Sequence, residues 1–319
     1  MSFNRDVKNE LKNVVPSARH CQLAEIAAIL SICGIVSIST YDTYEIEVRT
    51  ENSAVADKYN KLLRRCFHIV PRVLVRGHST NRKVHTYIQT IDDNEEAIKI
   101  LKATKLMGHD GDIKEQLLVN DKVLIQRSCC KRAFLRGCFL ATGSITDPEK
   151  GYHFEIVAND SEKAEQIKAL INGFLLDAKI VVRKNYYVVY LKEGAQIVDA
   201  LNIMEAHKGL MELENIRVMK EMRNKVNRRV NCETANINKT VSAAVRQLED
   251  IRYIKEHKGF SNLSESLRQM AELRLREPDA PLKDLGQMLN PPVGKSGVNH
   301  RLRKLSNIAN ELRKSNGDI

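Results

Sequence analysis

Seven residues within ten positions have the chemistry to grip a polyanion: Lys295, Ser296, Asn299, His300, Arg301, Arg303 and Lys304. Lysine and arginine neutralise phosphate, which positions a protein on a duplex without reading its sequence. Asparagine can pair two-pronged with adenine, and arginine with guanine, along the major-groove edge. The segment that carries them, Pro291–Asn310, contains no acid at all. Ser296, Asn299 and His300 are therefore candidates for base contact. Lys295, Arg301, Arg303 and Lys304 are candidates for phosphate contact. Nothing beside His300 suggests that it ligates a metal.

The cysteines suggest less. There are seven, Cys21, Cys33, Cys66, Cys129, Cys130, Cys138 and Cys232, and none forms a CxxC pair. Zinc sites and disulfide frameworks favour paired, regular spacing. The cysteines read as buried small hydrophobes in a reducing compartment. A redox role for the vicinal Cys129–Cys130 has nothing else in the sequence behind it. No catalytic residue, metal or cofactor is expected.

Charge concentrates where the polyanion-binding residues lie. The chain has 319 residues and a net charge of +11. Residues 1–219 carry 31 Lys+Arg against 28 Asp+Glu, and residues 220–319 carry 20 against 12, so the last third holds most of the excess. That asymmetry is the footprint of a nucleic-acid module. With 43% hydrophobic and 29% charged residues, the chain reads as globular. No apolar run approaches the roughly 20 residues of a membrane helix. The charged start, MSFNRDVKNELKNV, lacks the apolar stretch of a secretory signal. A cytoplasmic protein is expected.

Helices must position these residues. Ser296–Leu312 carries Val298, Leu302, Leu305, Ile308, Ala309 and Leu312 at helical spacing, which predicts one buried stripe with the polar residues opposite. A short helix, Leu282–Leu289, precedes it, broken by Asn290-Pro291-Pro292-Val293-Gly294. Together they read as helix, turn, recognition helix. Upstream, helices are expected over Thr240–Lys258, stopping at Gly259, and over Asn262–Leu275, led by Ser261. Glu205–Arg229 reads as a connecting helix and the polar Asn227–Asn238 as a linker.

The first two thirds are a duplication. YEIEVRTENSAVADKYNKLL (44–63) aligns without a gap with YHFEIVANDSEKAEQIKALI (152–171). Each copy reads as strand, then helix with a cap-like Asn/Asp-Ser start. An apolar helix ending in glycine precedes each: Ile26–Gly34 and Leu135–Gly143. Two further strands and a helix follow each, over Pro71–Gly77, Lys83–Thr90 and Glu95–Ala103, then Lys179–Arg183, Tyr186–Leu191 and Ala195–Ile203. Each unit reads αββαββα, and the hairpins call for an α+β class with pseudo-two-fold symmetry.

Leu135–Gly143 resembles the nine-residue helix of the LAGLIDADG homing endonucleases, matching it at Leu135, Gly137, Ala141 and Gly143. Ile26–Gly34 is a weaker copy, with Ala27 and Ala28 as its small residues. The resemblance implies that the two helices pack at the pseudo-dyad. It also implies metal-binding acids just before each final glycine. Those positions hold Cys33 and Thr142, and hard cations require oxygen ligands. The other Asp of the motif corresponds to Ser31 and Leu140. Asp42 and Asp147 lie at unequal offsets and make no matched pair. The expectation is a retained fold with the nuclease lost. Arg72, Arg76, Arg82, Lys83, Lys179, Arg183 and Lys184 lie on strands that would face DNA in the endonucleases. With a net +3 over 219 residues, solvated surface is the safer reading.

Three segments, FLRGCFLATGSITDP (134–148), NRRVNCETANINKT (227–240) and PPVGKSGVNHRLRKL (291–305), resemble the WhiA family of bacterial regulators across essentially the whole chain. The resemblance implies a degenerate LAGLIDADG domain followed by a helix-turn-helix similar to region four of sigma factors. It implies transcriptional regulation tied to sporulation or to cell division and chromosome segregation. The expected organisation is a nuclease-inactive LAGLIDADG-like domain over 1–205 (repeats 20–103 and 131–203), a linking helix and polar linker over 206–238, and an all-α helix-turn-helix domain over 239–319 (motif 281–313). The expected partner is double-stranded DNA at the nucleoid, with a protein partner for the LAGLIDADG-like domain as a second expectation. The rivals are an active endonuclease, for which the acids are missing, an RNA binder, for which 5% aromatics give no stacking surface, and an interaction scaffold with weak DNA binding.

Overall fold

The computed structural model describes residues 2–40, 43–77, 85–108, 112–113, 117–119 and 123–316. Asp42, Arg82 and Lys83 lie outside the described residues. The chain divides into two compact units, Met1–Lys220 and Glu221–Ile319.

The first unit opens with a helix, α1 (Phe3–Leu11), that sequence reading left out. Phe3, Val7 and Leu11 recur every fourth residue and are all buried, the signature of a one-faced helix. Two αββαββα repeats follow. The first is α2 (Arg19–Cys33), β1 (Gly34–Ile38), β2 (Tyr44–Thr50), α3 (Ser53–Phe67), β3 (Arg72–Gly77), β4 (His85–Ile91) and α4 (Asn94–Ala103). The second is α5 (Ser128–Thr142), β5 (Gly143–Ile145), β6 (Phe154–Ala158), α6 (Ser161–Asn172), β7 (Lys179–Arg183), β8 (Tyr186–Leu191) and α7 (Gly194–Ile203). Each makes one antiparallel sheet of the same order, β1-β2-β4-β3 and β5-β6-β8-β7. The cap-like residues act as caps. The Asn52 side chain accepts from the Ala54 N–H, and Asp160 from those of Glu162 and Lys163.

The sheets show why the strands alternate. In β2, Ile46, Val48 and Thr50 are buried against the helices, while Glu45, Glu47 and Arg49 point to the other face. The core joins both repeats through the α2–α5 contact. Gly137 is required there, because a Cβ on it would sit 2.7 Å from Ala28 Cβ and 2.9 Å from the Glu25 carbonyl oxygen.

Where a linker is expected, the chain is helical. α8 (His207–His257) is one 51-residue helix, so the polar stretch 227–238 is helical. Residues 221–243 are exposed all round. The large apolar residues of this segment, Met222, Val226, Val230, Ile237 and Val241, recur at helical spacing but are exposed rather than packed on a core. Two other boundaries move. α9 (Glu265–Arg276) starts after Ser264 rather than Ser261, and α10 (Leu282–Met288) is followed by α11 (Lys295–Asn316), longer than expected. Gly259 takes φ +70° just past α8, as a helix-stopping glycine does.

Candidate nucleic-acid interface

α11 is held by a small core of its own. Val298, Leu302, Leu305 and Ala309 are buried against Met270, Ala271 and Leu273 of α9, Leu285 of α10, and Ile251 and Ile254 of α8. Truncating one such leucine to alanine costs about 2–5 kcal/mol. The turn between α10 and α11 folds tightly onto α10. The Val293 N–H donates to the Gly286 carbonyl at 2.9 Å. A Cβ on Gly286 would lie 2.2 Å from the Val293 carbonyl oxygen, so only glycine fits. At the far end, Arg313 Nη1 donates to buried Asp250 Oδ1 at 2.7 Å and stacks over Tyr253. Arg313 therefore anchors α11 rather than facing outward.

With that stripe buried, the candidate residues have one place left. Lys295, Ser296, Asn299, His300, Arg303 and Lys304 are exposed, and Arg301 is half-buried on the flank. Ser296, Asn299, Arg303 and Asn307 follow the i, i+3, i+7, i+11 line of one helix face. Among the described residues, none of Lys295, Arg301, Arg303 and Lys304 makes an ion pair. Glu311 is the one acid in α11. The face is thus cationic, unneutralised and presented by a rigid helix.

The sheet face of the first unit differs. Arg72, Arg76, Lys179 and Arg183 all lie on the face away from the helices, as the register requires. Acids interleave with them. Arg72 and Glu47 both stand opposite Thr90, and in the second sheet Lys179 and Glu155 both stand opposite Tyr190. Glu47 pairs with Arg49, and Glu155 with His153 and Arg183. Lys184 is not on a strand. It sits in the β7–β8 turn with φ 56°.

At the ends of α2 and α5, sequence reading found the missing acids but missed what replaces them. Thr142 Oγ1 donates to the Val157 carbonyl at 2.6 Å. Cys33 lies beside two buried lysines. Lys8 Nζ donates to the Leu140 carbonyl at 3.1 Å, capping α5, and Lys163 Nζ to the Ser31 carbonyl at 2.6 Å, capping α2. Burial draws both ammonium groups down, Lys8 to about 8, and burial pushes the Cys33 thiol up to about 11. Ammonium groups thus stand where the resemblance called for cations. The cysteine reading also needs correction: Cys129 and Cys232 are exposed and Cys33 is half-buried.

A duplicated LAGLIDADG-type domain without carboxylates at its metal positions, followed by a helix-turn-helix unit, defines a LAGLIDADG-like protein with a basic C-terminal helix. Comparison with known families gives the particular lineage. Residues 19–107 match the WhiA N-terminal LAGLIDADG-like domain, residues 131–223 the WhiA LAGLIDADG-like domain, and residues 226–309 the WhiA C-terminal HTH domain. The chain belongs to the WhiA family. It is 52% identical over 313 residues to a "Probable cell division protein WhiA" of Lachnoclostridium phytofermentans, covering 98% of this chain and all of that one. It is 48% identical to the protein of the same name from Alkaliphilus oremlandii, covering 98% of each. Among solved structures it is similar to full-length DUF199/WhiA from Thermatoga maritima, at 25% identity and TM-score 0.57 over 98% of this chain and 99% of that one. Among the described residues no helix is long and apolar enough to cross a membrane.

Proposed function

We propose that the chain is a non-enzymatic DNA-binding regulator of transcription, acting at the nucleoid in cell division and chromosome segregation or in sporulation. α11 is its recognition helix. Ser296, Asn299 and His300 meet base edges in the major groove, and Lys295, Arg301, Arg303 and Lys304 meet phosphates. The observation that carries this reading is the two-sided character of α11. One side is fully buried, and the other offers cations with no acid to neutralise them. The name of the curated relatives supports the link to cell division.

The LAGLIDADG-like domain, in this reading, no longer cuts. Two ammonium groups, with Cys33 and Thr142 in place of carboxylates at the C-terminal ends of α2 and α5, repel the divalent ions that the reaction needs. Its sheet face, with Glu47 and Glu155 among the cations, suits a protein partner better than a phosphate backbone. Leu74, exposed on the edge strand β3 between Arg72 and Arg76 on that face, favours the same use.

The test is fluorescence-anisotropy binding of duplex DNA by the full chain across a salt series with Mg²⁺ present. Binding should weaken steeply with salt, fail in Arg301→Ala/Arg303→Ala, and leave the DNA uncut. Equal binding by that variant would favour the scaffold reading. Nicked DNA would overturn the non-enzymatic one.

A further inference from the structure

The opposite end of the helix pair carries a different cluster. His20 and Cys21 stand in the first turn of α2, and Cys129 and Cys130 in the first turn of α5. One nitrogen of His20 and the three sulfur atoms all lie within 4.8 Å of one another. His20 Nδ1 is 3.2 Å from both Cys21 Sγ and Cys130 Sγ. His20 is separated from Cys129 by 109 residues, Cys21 from Cys130 by the same, and Gly34 from Gly143 likewise. The four side chains are therefore two dyad-related pairs. They converge on the pseudo-two-fold axis, at the helix ends remote from Cys33 and Thr142.

We propose that His20, Cys21, Cys129 and Cys130 form a Zn²⁺ site that joins the two repeats. Three thiolates and an imidazole are a common structural zinc set. In a tetrahedral site with metal bonds of about 2.0–2.3 Å, the ligand atoms stand roughly 3.5–3.8 Å apart. The present spacings lie on either side of that range, so small side-chain rotations close the site. Binding exchanges three thiol protons for the ion: Zn²⁺ plus three Cys–SH gives a Zn(S–Cys)₃(His) centre of net charge −1 and three protons. Two features offset that negative charge. The N-terminal ends of two helices point at it. Arg127 reaches it too, its Nη1 3.5 Å from His20 Nε2. Ligation through Nδ1 leaves a proton on Nε2, so Arg127 turns from the imidazole toward the thiolates. Cys21 and Cys130 are buried, which shields the centre, and exposed Cys129 opens it to entry. A pair of adjacent ligands repeated 109 residues later has no CxxC signature, so spacing alone hid the site.

The proposal is independent of DNA binding. Its test is titration of the full-length, tag-free, reduced and metal-stripped chain with Co²⁺ under anaerobic conditions, followed by Zn²⁺. Stoichiometric binding should give the intense visible absorption of tetrahedral thiolate-bound cobalt, displaced by Zn²⁺. Cys129→Ser, at an exposed position where folding is not at risk, should abolish that spectrum, as should Cys21→Ser/Cys130→Ser. Cys66→Ser and Cys232→Ser should leave it unchanged. Zn²⁺ should raise the thermal midpoint of the wild type and not of Cys129→Ser. Three results would overturn the site: no thiolate spectrum from a chain folded by circular dichroism, a spectrum that survives Cys129→Ser, or a disulfide among these cysteines in anaerobically isolated protein.

Discussion

Arg136 and Glu25 face each other in the middle of the helix pair, Nε 3.0 Å from Oε1 and Nη2 3.3 Å from Oε2. Both are buried, and Lys58 Nζ joins Glu25 Oε1 at 3.0 Å from the other side. Arg136 Nη1 continues to Glu205 Oε2 and to the Met204 carbonyl. The pair thus ties α2 of one repeat to α5 of the other. A buried pair adds modest stability as a whole, but breaking it strands a charge. Glu25→Gln, which leaves Lys58 and Arg136 buried without their shared counter-charge, should lower unfolding free energy by about 3–5 kcal/mol. Urea denaturation measures it, and a loss under 1 kcal/mol would show that water reaches the two cations.

Close backbone approach makes two glycines irreplaceable for different reasons. Gly286→Ala should disturb the α10–α11 turn, because the obstacle is the Val293 carbonyl. DNA affinity should fall more than overall stability does, since the first unit is untouched. Gly137→Ala should instead destabilise the dyad, by about 1–3 kcal/mol, with DNA affinity kept. Paired anisotropy and denaturation curves separate the two. Equal losses in both readouts for both variants would refute the distinction.

Lys8 sets a pH dependence whose sign can be derived. Its folded pKa is drawn by burial from 10.5 to about 8. Between those values the unfolded chain holds more protons than the folded one, so this group's contribution to stability rises with pH. Cys33, pushed from 9.0 to about 11, acts oppositely, and its contribution falls between those values. The stability of wild type relative to Lys8→Met should therefore grow as pH rises from 8 to 10.5, by up to about 3 kcal/mol. Denaturation of both proteins across that window checks it. A difference that stays flat would show Lys8 to be an ordinary solvated lysine, and one that shrinks would give its folded pKa the opposite shift.

Phosphate contacts and base contacts leave different marks. Arg303→Ala should weaken binding evenly across sequences and reduce the slope of log K against log salt by about 0.9. Asn299→Ala should leave that slope unchanged and cost about 1–3 kcal/mol only where one particular base is present. Competition with a duplex library at two salt concentrations resolves them.

Restoring the acids should not restore cutting. Cys33→Asp/Thr142→Asp places two carboxylates beside Lys8 and Lys163, which would pair with them before any Mg²⁺ could. Plasmid incubated with the variant and Mg²⁺ should stay supercoiled. Nicking would show that the missing carboxylates alone had silenced the site.

How much of this was legible followed from periodicity. α11 could be read because Val298, Leu302, Leu305 and Ala309 have one face to bury and the remaining residues follow by elimination. The repeats could be read because strand alternation and capping recur in both copies. The middle of α8 could not. Asn227–Asn238 keeps only Val230 and Ile237 as large apolar residues, both exposed, and so polar a composition does not by itself tell a solvated helix from a linker. α1 carries a readable pattern in Phe3, Val7 and Leu11. The replacements at the dyad were hidden for another reason. Lys8 and Lys163 lie far in sequence from Cys33 and Thr142, and only the packed fold brings them together.

The two lysines also bear on modularity. Lys163 belongs to the second repeat and caps a helix of the first, while Lys8, ahead of both, caps a helix of the second. The copies share a topology, yet neither is self-sufficient. Cut between them, each half would keep a helix end whose carbonyl partner had left with the other piece. Two like halves are thus stitched across their own seam by the very side chains that close their helices.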